Sequence, residues 1–206
     1  MSFPVEITSS IALPGGDVAR RITLHDGMTI ILGPNGAGKT QLMRGMKKSL
    51  QQILGGKKVS FASAGRIGSL ENFRSDFDGQ RDGCPLYDRA AYGGKSEQTR
   101  RHKNETLTGA FQTLAARPDL LIKVRERLRK LFKRDIEIRW DAGSIQVFFS
   151  HGDSAPYSSG RETSGLLHLV GLLAIIYDNE VGALLLDGPE VSLHPQLQAF
   201  LLQEIM

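Results

Sequence analysis

Met28-Thr29-Ile30-Ile31-Leu32-Gly33-Pro34-Asn35-Gly36-Ala37-Gly38-Lys39-Thr40 is the stretch on which the reading of this chain turns. An apolar run leads into a loop of small residues, and Thr40 to Leu54 then reads as a helix closed by Gly55-Gly56. Strand, glycine loop and helix in that order bring consecutive backbone N–H groups to the positive end of a helix, where they converge on phosphate oxygens. Gly33, Gly36 and Gly38 supply dihedral freedom and the close approach that a Cβ would block. Lys39 is placed to reach the β- and γ-phosphates, and the Thr40 hydroxyl to ligate Mg²⁺. The loop Gly33, Pro34, Asn35, Gly36, Ala37, Gly38, Lys39 and Thr40 is thus the predicted seat of ATP.

A magnesium ion held by Thr40 needs a second protein oxygen, commonly a carboxylate ending a neighbouring buried strand. Ala183-Leu184-Leu185-Leu186-Asp187 has that form, and it sets Asp187 at the edge where open parallel sheets bind ligands. The alternative is an aspartate that ends a strand and caps a helix.

The chain has 206 residues, with 40% hydrophobic and 23% charged, ordinary proportions for a globular domain of one core with room for an inserted lobe. No apolar run has the roughly 18 residues of a membrane span. The N-terminus MSFPVEITSS lacks a signal peptide's pattern. The single cysteine, Cys84, excludes an internal disulfide framework and fits a reducing compartment. The expectation is a soluble cytoplasmic protein. The net charge of +4 is uneven: Lys95 to Arg134 holds twelve basic and four acidic residues. That excess attracts nucleic acid or else forms a solvated helical face, with Arg125, Arg129 and Lys133 as the candidate contacts.

Further strands are predicted at Val5 to Leu13, Arg21 to Leu24 and Val59 to Ala64. Gly65 to Asn104 shifts to Gly, Asp, Ser and Arg and reads as a long irregular insertion. Helices at Glu105 to Ala116 and Asp119 to Phe132 break at Pro118, the second with Leu120, Val124, Leu128 and Leu131 on a packing face. A hairpin follows, with Ile136, Ile138 and Trp140 on one strand and Ile145, Val147 and Phe149 on the other. Gly165 to Ile176 reads as a buried helix, Gly182 to Leu186 as a strand, and a last helix starts near Pro195.

With these elements in place, Tyr157-Ser158-Ser159-Gly160-Arg161-Glu162 looks like the LSGGQ-type signature of ABC-class ATPases. Asp187 to Pro195 (DGPEVSLHP) is similar to the DEPExxLHP element of prokaryotic ABC-class ATPases related to SMC, RecF and OLD proteins, which act in DNA repair and phage defence. The resemblance covers Thr29 to Ser49 and Tyr157 to Gln203. It implies an α/β P-loop NTPase fold of the ABC ATPase head type, with a mixed sheet and an inserted helical and irregular lobe. The implied parts are 1–64, carrying the phosphate loop; 65–134, the inserted lobe; and 135–206, carrying the signature and Asp187. It also implies that the fold's C-terminal part, with the strand of the switch histidine, lies beyond Met206 or comes from another chain.

By the same resemblance, Ser158, Ser159 and Gly160 bind the γ-phosphate of a nucleotide held by a second copy, and Ser192 and His194 lie in a dimer-contacting loop. Gly188 stands where the family carries the glutamate that polarises water, and loss of such a base costs about 10²–10⁴ in rate. Glu190 is the nearby carboxylate, although it matches a different family position. Gln80, Gln98 and Gln112 all fall in the interval of the metal-bridging glutamine. For adenine, Phe3 reads as a core residue and Arg20 or Arg21 as a stacking alternative. His102 and His151 read as surface residues.

The function implied is an ATP-dependent head that forms a homodimer or higher oligomer and regulates a nucleic-acid-related complex, in DNA repair or anti-phage defence. The alternative is an ATP-gated scaffold that hardly hydrolyses, holding a nuclease or toxin. A small-molecule kinase is a third reading, but it needs neither YSSGRE nor SLHP.

Overall fold

In a computed structural model, residues 3–13, 16–63, 80–81, 84–85, 91–94, 107–191 and 193–206 are described. Strands β1 (Val5–Leu13) and β2 (Gly16–Leu24) form an antiparallel hairpin in which Val5 faces Leu24. The expected strand Arg21 to Leu24 is thus the end of a longer one. Helix α1 (Lys39–Ile53) follows the glycine loop, and Gly55 and Gly56 end it at φ 59° and 93°. Strand β3 (Lys58–Ser63) comes next, then the two-residue strands β4 (Gln80–Arg81) and β5 (Cys84–Pro85), and β6 (Ala91–Gly94).

Helices α2 (Leu107–Ala116) and α3 (Pro118–Phe132) break at Pro118 as predicted, with the proline taking the first helical turn, where its missing N–H costs nothing. The hairpin β7 (Arg134–Asp141) and β8 (Ser144–His151) pairs Ile136 with Phe149 and Ile138 with Val147. β6 lies along β8, so part of the predicted irregular insertion completes this sheet. The short strand β9 (Tyr157–Ser158) also pairs with β8. A 3₁₀ turn, Ser159–Arg161, leads to helix α4 (Ser164–Ile176), strand β10 (Val181–Asp187) and helix α5 (Pro195–Ile205).

The layering follows from strand periodicity. β10 runs parallel to β3, with Ala183 beside Val59 and Leu185 beside Phe61. Those four residues pack with Ile7, Met43, Met46 and Leu50, so this face carries α1 and the first hairpin. Leu184, Leu186 and Ala62 belong to the second core, with α2, α3, α4, α5 and the β7–β8 hairpin. Successive side chains of β10 therefore serve two cores on opposite faces, which is the fold's central layer. Helices α2 and α3, from the expected inserted lobe 65–134, share one core with residues of 135–206.

Two expectations about packing are corrected. Met28 to Leu32 joins no sheet among the described residues; Ile30 is 66% exposed and Leu32 88%, and only Ile31 packs on the core around α1. An apolar run becomes a strand only where a neighbour satisfies its ladder, and none of the described strands does so here. On α3, Leu120, Val124 and Leu128 are fully buried, but Leu131 is exposed and Phe132 packs edge-on against Phe200 instead. With four residues to 3.6 per turn, the buried stripe drifts round the helix and passes to Phe132.

Candidate nucleotide-phosphate site

Asp187 reaches its place by the same alternation that layers the fold. It follows Ala183 and Leu185 on the α1 face of β10, so its carboxylate meets the first turn of α1. There the Thr40 hydroxyl donates to Asp187 Oδ2 at 2.6 Å, joining residues 147 positions apart. Lys39 Nζ donates to the carbonyls of Gly33 at 2.8 Å and Pro34 at 2.9 Å, folding the ammonium back across the loop. Within the loop Ala37 N–H donates to the Pro34 carbonyl. Gly36 and Gly38 stand at φ 81° and 84°, a region that favours glycine.

The cap of α1 gives this arrangement its electrostatic character. Gly38 has no side chain to cap the helix, and the first turn holds no acidic residue. The first-turn amides have no intrahelical acceptor, and the helix dipole is not offset by a carboxylate of its own turn. Thr40 and Asp187 are hard oxygen donors within one coordination sphere of each other, which suits Mg²⁺ with phosphate and water completing the shell. Among the described residues no group of three or more His, Cys, Asp or Glu could hold a metal unaided. A bound nucleotide and ion would compete with the bonds that Lys39 and Thr40 make here.

Beyond Asp187 the chain turns at Gly188, φ 59°, with the Val191 N–H donating to the Gly188 carbonyl. Glu190 is exposed, and its carbonyl accepts from Leu193 N–H and from Gln198 Nε2. Ser192 lies outside the described residues. His194 is the N-cap of α5, its Nδ1 accepting from Gln196 N–H at 3.4 Å.

The signature-like segment lies on the other layer, entering α4. Ser158 is half-buried, and its hydroxyl accepts from Gly160 N–H; Ser159 and Gly160 are buried. Thr163 caps α4 by accepting from Leu166 N–H. Tyr157 and α4 pack in the second core, whereas α1, which follows the phosphate loop, packs in the first, on the other face of β10.

The basic helix is more engaged than its sequence suggests. Arg125 donates to both carboxylate oxygens of Asp135, at 2.8 and 2.7 Å, and Arg129 adds a third contact at 2.6 Å. Arg125 first, with Arg129, holds the Asp135 carboxyl far below the usual range against the opposing effect of burial. Lys123, Lys130 and Lys133 are exposed, with Lys133 closing α3 at φ 50°. Gln112 is fully buried in the second core region, Gln98 is outside the described residues, and Gln80 lies in β4. Phe3 is 44% exposed, which corrects its reading as a core residue, and Arg20 and Arg21 are exposed on β2. His151 is exposed as expected, and His102 lies outside the described residues.

Sequence reasoning missed the ties between elements. Arg117 bonds to Asp119, Asn179 and Glu180 and lies 3.4 Å from Asp178, pinning the start of α3 to the turn before β10. Arg127, Tyr177 and Glu204 join α3, α4 and α5, and burial first, then Glu204, pushes the Tyr177 hydroxyl up to about 12. A mid-helix glycine was the one available signal for a third tie: Gly45 lets α1 lie against Ser9 and Ser10 of β1.

A glycine-cradled helix end with a lysine, a hydroxyl and a strand-end aspartate defines a P-loop nucleotide-binding protein. Residues 67–206 match the family described as "AAA domain, putative AbiEii toxin, Type IV TA system", and the chain belongs to that family. The match includes Asp187 and the Tyr157–Glu162 segment, whereas the loop at 33–40 precedes it. No curated protein and no solved structure matches the chain. No helix among the described residues is long and apolar enough to cross a membrane.

Proposed function

We propose that the chain is a Mg²⁺-dependent ATPase head of the ABC class, akin to SMC, RecF and OLD proteins, which dimerises around nucleotide in the cytoplasm. The observation that carries this reading is the 2.6 Å contact between Thr40 and Asp187 at the mouth of the glycine loop. ATP binding orders the loop by engaging Lys39, Thr40 and the metal. Ser158, Ser159 and Gly160 of a second copy then close over the γ-phosphate, and hydrolysis releases the pair. The machine so switched is nucleic-acid-related, in repair or anti-phage defence, supported by the basic excess around α3. The family description adds a toxin of a type IV system as a candidate effector. Light scattering and phosphate release test this together. Association that appears with ATP and Mg²⁺ and decays with turnover is expected; a monomer at all nucleotide concentrations contradicts it.

Gly188 favours a second reading, an ATP-gated scaffold that holds a nuclease or toxin and turns over slowly. No side chain at 188 can accept a proton from water, and beyond Asp187, assigned here to the metal, Glu190 is the nearest carboxylate in sequence. Steady-state phosphate release well above the protein-free rate excludes this version.

A further inference from the structure

We propose that Tyr157 and Glu162 are positioning residues, a side-chain clasp that presets the Ser158–Arg161 turn for docking on the nucleotide of a second copy. This rests on the trans-acting reading of the signature given above. The Tyr157 hydroxyl donates to Glu162 Oε2 across the turn. Glu162 Oε1 accepts from Thr163 N–H at 2.9 Å, and Arg134 Nε stands 3.8 Å from Oε2. The Glu162 side chain is only 5% exposed, and a carboxylate so placed is costly unless donors surround it. Here those donors come from the strand before the turn, the helix after it, and β7. The carboxylate therefore joins three elements at one point.

Between the two ends of the clasp, the backbone is already drawn tight. Gly160 N–H donates to Ser158 Oγ, and Glu162 N–H to the Ser159 carbonyl at 3.0 Å. Ser158 is held in register opposite Phe148 of β8. The result sorts the segment: Ser159 and Gly160 are buried, while Ser158 is half-buried and Arg161 exposed. Ser158 and Arg161 are thus the residues of this turn that reach the surface. Holding them before binding lowers the ordering cost of association.

Tyr157→Phe deletes the donor, and Glu162→Gln leaves one amide oxygen in place of the two carboxylate oxygens that accept from Tyr157 and Thr163. Both variants are compared with the full chain in three measurements: amide hydrogen exchange at 159–162 without nucleotide, affinity for a fluorescent ATP analogue, and ATP-dependent self-association with phosphate release. In Tyr157→Phe, exchange in the turn rises and association weakens, each by about tenfold, as loss of one part-buried hydrogen bond to a carboxylate predicts. Affinity for the analogue stays within about twofold, because no hydrogen bond of the clasp reaches the phosphate loop, and Glu162→Gln retains part of the association. Unchanged exchange and association in Tyr157→Phe overturn the clasp. A parallel loss of analogue affinity also overturns it, since the pair then only holds the fold. If the unmodified chain itself neither associates nor turns over with ATP, the signature reading falls and takes the docking role with it, while the exchange data still report whether the turn is clamped.

Discussion

Gly45 shows how much a single missing methyl group can decide. A Cβ there would stand 2.3 Å from Ser9 Oγ and 2.4 Å from the Ser10 carbonyl oxygen. The carbonyl belongs to a strand paired along its whole length, so it cannot yield without disturbing the hairpin. Ser9 Oγ also donates to the Leu42 carbonyl at 2.8 Å, a bond that the new group would displace. Gly45→Ala gains about 1 kcal/mol in helix propensity but loses more to overpacking, typically ~1–3 kcal/mol plus the broken bond. A lower thermal midpoint is expected in calorimetry; an unchanged or raised midpoint would show that α1 and β1 separate easily. At Gly188 the backbone sits at φ 59°, where a side chain costs roughly 1–2 kcal/mol. Gly188→Glu is therefore expected to lower stability modestly, yet to raise phosphate release if the lack of a carboxylate at 188 is what limits turnover. No gain in rate with the fold intact places the limit elsewhere. Asp135 gives a pH signature. Its folded pKa lies below the unfolded value near 3.9, so its contribution is complete above that value and is lost as pH falls below it. Asp135→Asn should flatten the acid side of the thermal-midpoint profile below about pH 4, and a profile identical to the parent's there would contradict the Arg125 and Arg129 contacts.

At the scale of elements, periodicity carried the reading and local partners limited it. The alternation of Ile136, Ile138, Ile145, Val147 and Phe149 gave the β7–β8 hairpin, since burial of every second residue leaves a mark in one sequence. Pro118, Gly55 and Gly56 marked helix ends by backbone chemistry alone. Met28 to Leu32 misled because a strand is a property of two chains, and its partner cannot be read from its own residues. The charge of α3 misled in a similar way. Arg125 and Arg129 look like free cations in sequence, yet Asp135 at the start of β7 engages both. If nucleic acid binds this helix, the exposed Lys123, Lys130 and Lys133 are the better contacts. Reversing Lys130 and Lys133 to glutamate should weaken DNA binding and flatten its salt dependence by roughly one charge per site removed, as read by fluorescence anisotropy. Binding that is indifferent to both substitutions makes α3 a solvated face.

At the scale of the molecule, one strand joins two cores. Ala183 and Leu185 lock β10 to the phosphate-loop helix, while Leu184 and Leu186 lock it to α4 and the layer that bears the Tyr157–Glu162 turn. The phosphate loop and Asp187 were legible because their chemistry demands particular residues at fixed spacing. Their meeting at 2.6 Å follows from strand alternation, which the uniformly apolar run Ala183 to Leu186 does not display in sequence. The clasp and the arginine ties were not legible, because each joins residues whose proximity exists only after folding. The account stands on the loop at 33–40 as a triphosphate cradle, and the direct test is equilibrium binding of ATP with Mg²⁺ to the full chain and to Lys39→Ala. Removing the ammonium that bridges the Gly33 and Pro34 carbonyls should weaken ATP binding at least about tenfold, the cost of a charge-assisted contact, with the fold intact by circular dichroism. Equal affinity in the two proteins would contradict the account.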